Sequence, residues 1–167
     1  ERELLGSHGL TRLNLVDEFL KAAYADGERL CEKRNALDEL PEFGTWRQAL
    51  VELALALQHG AANATLTDDD EAGAQTRLPR EQAPAGLTPQ WLEFSIGVQV
   101  LKESSGQLHF SHQLLQEAMA AQAMLDAALG GWPEATRFWP ASHWWQRNGW
   151  EVVAELAGEQ LSGDTTA

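Results

Sequence analysis

The stretch from Thr88 to Leu129, TPQWLEFSIGVQVLKESSGQLHFSHQLLQEAMAAQAMLDAAL, decides the fold. In its middle, Val98 and Val100 and then Leu108 and Phe110 alternate on either side of Ser104-Ser105-Gly106. A period of two marks half-buried strands, and a Ser-Gly pair between them marks a tight turn. The spacing therefore predicts a β-hairpin over 98–110. Before the hairpin, Thr88-Pro89 reads as a helix start: a hydroxyl cap, then proline at the first helical position. Trp91, Leu92 and Ile96 would face inward from it. After the hairpin, Ser111 is expected to cap a long helix, with Leu114, Ala118, Ala121 and Leu125 as its buried stripe. Gly130-Gly131 and Pro133 end that helix near Leu129. A helix followed by a hairpin is the local grammar of a winged helix.

Working outward, a helix is predicted from Arg12 to about Lys33. Leu13, Val16, Leu20 and Ala23 share one face of it, with Leu15 and Phe19 beside them. Gly27 is its weak point, costing about 1 kcal/mol relative to Ala. A second helix, capped by Thr45, carries Trp46, Leu50, Leu53 and Leu57 and ends around His59-Gly60. Residues 61–86 hold Gly73, Pro79, Pro84 and the acidic run Asp68 to Glu71. There only a short helix from Thr67 is expected, because carboxylates favour a helix's first turn. A last helix starts near Asn148, with Trp150, Val153, Ala157 and Leu161 on one face. The expected fold is mainly α: a winged-helix-like helical domain with one small β-hairpin, flanked by helical segments. Three segments follow: 1–60 helical, 61–130 winged-helix-like with the hairpin, and 131–167 a Trp-rich joint opening a C-terminal helical region.

Composition excludes several function classes. Twelve Lys and Arg stand against 25 Asp and Glu, a formal charge of −13. That charge repels phosphate backbones and anionic lipid surfaces, so nucleic acid and membrane are poor partners. No apolar run reaches the ~18 residues that cross a bilayer. One cysteine, Cys31, allows no internal disulfide. These features fit a cytoplasmic protein. Glu1 at the start and the Ser162-Gly163-Asp164-Thr165-Thr166-Ala167 tail suggest a piece of a longer chain.

The candidate for chemistry is His112. It lies where a strand feeds a helix N-terminus, a place that gathers free N–H groups and the positive end of the helix dipole and so suits an anion. Its imidazole can donate a hydrogen bond to a phosphate oxygen. On physical grounds alone, a histidine that simply packs at a helix start is the more ordinary reading.

The pattern Phe110-x-His112-x-x-x-Gln116-Glu117-x-x-Ala120-Ala121 resembles a signature of NACHT proteins, a branch of the STAND signal-transduction ATPases. Ala118-Met119 stand where that family carries two aromatics. His143-Trp144-Trp145-Gln146-Arg147-Asn148-Gly149-Trp150-Glu151 is similar to a Trp-rich element of bacterial members that leads into C-terminal helical repeats. Thr11-Arg12-x-x-Leu15-x-x-x-Phe19 looks like the helix opening the region after the NTPase core. The resemblance implies that His112 is the nucleotide-binding residue, reaching the terminal phosphate of ADP in the closed state. It implies ADP/ATP as cofactor, with Mg²⁺ supplied by an NTPase core. The implied partners are that upstream core, downstream helical repeats and further copies on activation, in defence or stress signalling. No G-x-x-x-x-G-K-[ST] phosphate loop is present, so hydrolysis is not expected of this segment although the parent would be an ATPase. The alternative is a freestanding helical interaction module, an adaptor or scaffold without nucleotide.

Other residues have simpler expected roles. Gln116 and Glu117 should brace neighbouring helices. His109 should face solvent. Asp68 to Glu71 lacks the spacing of a calcium loop. Trp132, Trp139, Trp144, Trp145 and Trp150 should form a structural joint. Cys31 should be an inert thiol. The helix from Ser111 to Leu129 has no Lys or Arg to meet DNA phosphates.

Overall fold

The computed structural model describes residues 11–36, 40–63, 76–129 and 149–164. Helix α1 spans Arg12–Arg34 and α2 spans Phe43–Asn63. A two-residue strand, β1 (Leu78–Pro79), runs into a 3-10 turn, Arg80–Gln82. Helix α3 (Pro89–Gly97), strands β2 (Leu101–Ser104) and β3 (Gln107–Phe110), helix α4 (Gln113–Leu129) and helix α5 (Glu151–Asp164) follow. The protein is mainly α-helical with one small antiparallel sheet, in the order β1-β3-β2. No helix among the described residues is long and apolar enough to cross a membrane. The Thr67 helix start and the tryptophans Trp132, Trp139, Trp144 and Trp145 lie outside the described residues.

Each helix begins and ends for a local reason. Thr11 Oγ1 accepts from the Asn14 N–H at 3.2 Å, which starts α1. Asn35 ends it in the left-handed region at φ 54°, and the Asn35 and Ala36 N–H groups return to the Glu32 and Cys31 carbonyls. Thr45 is not the cap of α2. The Glu42 carboxylate takes that role, accepting from the Gly44 N–H at 3.0 Å and the Thr45 N–H at 2.7 Å. Those bonds, with the Thr45 hydroxyl first among them, hold the Glu42 carboxyl below its ordinary pKa. Thr88 caps α3 as expected, accepting from the Trp91 N–H at 3.3 Å.

The hairpin is shorter than its sequence pattern. Val98 closes α3, donating to the Phe94 carbonyl, and Gln99 reverses the chain at φ 59°. Val100 then donates back to the Ser95 carbonyl, so pairing starts only at Leu101, opposite Phe110. Ser105 and Gly106, both at positive φ, make the tight turn. Leu78 pairs with Leu108 to add the third strand, which the sequence did not announce. Two residues, one a proline, are too few to show a period of two.

The α1 stripe is buried as expected, whereas the α4 stripe differs from expectation by one position. Leu13, Val16, Leu20 and Ala23 are buried on α1, whereas Leu15 and Phe19 are 53% and 41% exposed. On α4, Leu114 is 40% exposed and Leu115, Ala118 and Ala121 point inward. A step of one residue turns a helix by about 100°, which is enough to leave the core face. On α5, Trp150, Val153, Leu156 and Ala157 are buried and Leu161 is exposed.

An aromatic corner joins α1, α2 and α3. The Tyr24 hydroxyl donates to the Pro41 carbonyl at 2.6 Å. Trp46 is fully buried, donates from Nε1 to Ser95 Oγ at 2.8 Å, and meets Phe94 edge to face at 5.4 Å. Phe94 also touches Tyr24, at 5.8 Å between centroids. Gly27 earns its place in mid-helix here: a Cβ on it would lie 2.5 Å from Phe94 Cε2 and 2.7 Å from Val98 Cγ1. Moving the ring aside would disturb its edge contacts with Trp46 and Tyr24. Gly27→Ala should therefore lower unfolding free energy by about 1–3 kcal/mol through overpacking, although alanine is intrinsically the better helix former. Urea unfolding tests this; a midpoint equal to or above wild type would show that the corner has slack.

Candidate functional site

Strand β3 delivers the chain through Ser111 and His112 into α4. The Ser111 N–H donates to the Val100 carbonyl and the Leu115 N–H to the His112 carbonyl, both at 3.0 Å. Ser111 does not cap the helix: its Oγ is buried and has no hydrogen-bond partner. His112 is exposed at the first turn of α4. It lines a half-open concave surface of about 480 Å³ with Phe19 and Asp26 of α1, Gln99, Lys102 of β2, and Ser111. A smaller apolar hollow of about 220 Å³ adjoins it between α1 and α4, lined by Leu15, Phe19, Leu114 and Leu115.

The rest of the pattern around His112 is interior. Phe110, Gln116, Glu117, Ala120 and Ala121 are all buried. The two alanines let α4 pack closely between α2 and α5. Gln116, 1% exposed, donates from Nε2 to Gln58 Oε1 of α2 at 3.2 Å. Gln58, also fully buried, donates from its own Nε2 to the Gly149 carbonyl just before α5. Gln116 thus braces neighbouring helices, as its sequence position predicts. Glu117 accepts instead from Gln113 Nε2 of its own helix, at 2.8 Å.

The other singled-out residues fall as follows. His109 does not simply face solvent. It is half-buried on β3 opposite Lys102, and burial, then the charges of Arg77 and Lys102, hold its pKa below the usual histidine value. Trp150 is buried beside His59, with ring centroids 5.4 Å apart, which suits the joint expected of it. Cys31 is half-buried on α1. Arg12, first residue of α1, reaches α5, where its guanidinium meets Glu155 at 2.6 Å and Glu159 at 2.7 Å. Thr11 Oγ1 adds a bond to Gln160 at 3.0 Å. Among the described residues no group of three or more His, Cys, Asp or Glu could hold a metal ion. The acidic run Asp68 to Glu71 lies outside them.

Gln58 is the residue that sequence reasoning missed. Its signal was present: a glutamine four residues after Ala54 and one after Leu57, on the apolar side of α2. A polar residue on such a face needs partners from other elements.

The carboxyl of Glu117 has a raised pKa, because burial outweighs the Gln113 hydrogen bond and the Arg12 charge. The folded chain therefore keeps a proton that the unfolded chain has released. That contribution is complete below the ordinary carboxyl value and is lost as pH rises through the folded one. Glu117→Gln should raise the melting temperature at pH 7, by about 2–4 °C for each kcal/mol recovered, and the gap should close by pH 4. Thermal melts at both pH values decide this; a gap that widens on acidification would reverse the sign. No protein-family model matches the chain, and no curated protein or solved structure matches it.

Proposed function

We propose that this chain is the regulatory arm of a NACHT-type signal-transduction ATPase, holding the ADP-bound resting state through His112 and relaying nucleotide exchange to oligomerisation. The supporting observation is a contrast. Of the residues that make the pattern, all but His112 are buried and explained by packing or hydrogen bonding. An exposed imidazole at a helix N-terminus is left over, with Lys102 on the same concave surface. Those donors suit phosphate oxygens, and Asp26 is the one carboxylate among the lining residues. His112 and Lys102 would hold the terminal phosphate, while Mg²⁺ and most nucleotide contacts would come from the preceding core.

The switch then follows from differential contact. A ligand shifts a docking equilibrium only by the difference in its affinity for the two states. ADP ends where His112 would meet it; a third phosphate would occupy that place and favour the undocked arm. Neither α3 nor α4 carries a Lys or Arg, so the reading needs no nucleic acid. The alternative, a freestanding interaction module, draws support from exposed Leu15, Phe19 and Leu114 around the apolar hollow.

In a protein that joins this chain to its NTPase core, His112→Ala should speed ADP release by roughly tenfold to a hundredfold, the worth of one hydrogen bond to a charged group. It should also raise signalling in the absence of stimulus. Stopped-flow release of a fluorescent ADP measures the first. Release and output both equal to wild type would sink the nucleotide role and leave the interaction module.

A further inference from the structure

We infer that the hydrogen-bonded chain Gln116–Gln58–Gly149 is the coupler that links the start of α4 to the docking of Trp150 and α5. Its purpose rests on the regulatory reading of His112, but its operation does not.

The argument begins with one amide. Gln58 has both ends engaged: Oε1 accepts from Gln116 on α4 and Nε2 donates to the Gly149 carbonyl. The side chain is fully buried on α2, so neither end can turn to water instead. A buried amide that loses one partner incurs the desolvation cost of that group, which makes the bond either made or broken rather than stretched. If Gln116 moves away, Gln58 either follows it and draws on the Gly149 carbonyl, or leaves Oε1 orphaned at the desolvation cost of that group.

Position supplies the rest. Gln116 stands four residues after His112, in the first turns of α4, and the His112 carbonyl accepts from the N–H of Leu115 just before it. A displacement of the turn that carries His112 therefore reaches Gln116 directly. At the other end, Gly149 adopts φ 81°, and its carbonyl precedes Trp150, the fully buried ring that begins α5. Beyond Trp150, α5 meets the start of α1 through Arg12 with Glu155 and Glu159 and Thr11 with Gln160. Gln58 is thus a buried polar tie at the first turn of α5, beside the apolar packing of Val153, Leu156 and Ala157.

The test uses the full chain and hydrogen exchange of residues 151–164. Gln113→Gly with Leu114→Gly loosens the exposed first turn of α4. In the wild-type background this should speed α5 exchange about tenfold, the worth of one buried hydrogen bond. In a Gln58→Met/Gln116→Met background, which keeps volume and removes both amides together, the same glycines should change α5 exchange less than about twofold. Equal transmission in the two backgrounds would overturn the coupler and assign the motion to apolar packing. Should the paired variant fail to fold, Gln58→Asn supplies the same comparison, because its shorter amide cannot span both partners. Adding ADP to the protein that includes the NTPase core separates the two ideas. If ADP leaves α5 exchange unchanged while the glycines still transmit, the nucleotide reading fails and the coupler stands.

Discussion

Burying a tryptophan obliges its indole N–H to find an acceptor, and the way Trp46 meets that demand orients most of the molecule. Its Nε1 donates to Ser95 Oγ, which in turn donates to the Trp91 carbonyl one turn back on α3 at 2.6 Å. A single buried hydroxyl thereby fixes both the rotation of α3 on α2 and the depth of the ring. The edge contacts of Phe94 with Trp46 and Tyr24 then bring α1 down onto the same corner, close enough that only a glycine fits at 27. Where α3 ends decides where β2 begins, and the hairpin decides where α4 begins. The exposure of His112 is a late consequence of that order.

The helices were largely legible from the sequence because their apolar spacing repeats over many residues. Trp46, Leu50, Leu53 and Leu57 are all buried on α2 as their spacing requires, and so are Leu13, Val16, Leu20 and Ala23 on α1. The flanks of those stripes were not legible. Leu15, Phe19 and Leu114 carry the same chemistry as their buried neighbours, and one step of helical rotation separates the two fates. Ends were harder still. Thr45 and Ser111 have the residue types of caps, yet the bonds are made by Glu42 and, for Ser111, not at all. A cap is a matter of where a side chain points, and composition carries no direction. β1 was out of reach for another reason, since its pairing partner lies thirty residues away and its own two residues have no pattern.

The candidate site shows the same division. Sequence alone placed an imidazole at a helix N-terminus and expected Gln116 to brace other helices; the structure supplies the brace's partners, Gln58 and Gly149. His109 and His112 are three residues apart and differ in kind. One is half-desolvated between cations on a strand, and the other is open at a helix start. Neither fate is written in the residue type. It follows from the pleat of β3, which turns Leu108 and Phe110 inward, and from the break in that pleat at Ser111.

The small sheet also controls its own growth. Strand β1 ends in Pro79, which offers no N–H to a newcomer, and a two-residue edge gives little template for pairing. On the opposite edge, Lys102 and Glu103 of β2 stand exposed, so an arriving strand would have to strip water from both charges. Among the described residues, both edges of the sheet therefore discourage a fourth strand, which disfavours edge-to-edge pairing between copies of this sheet.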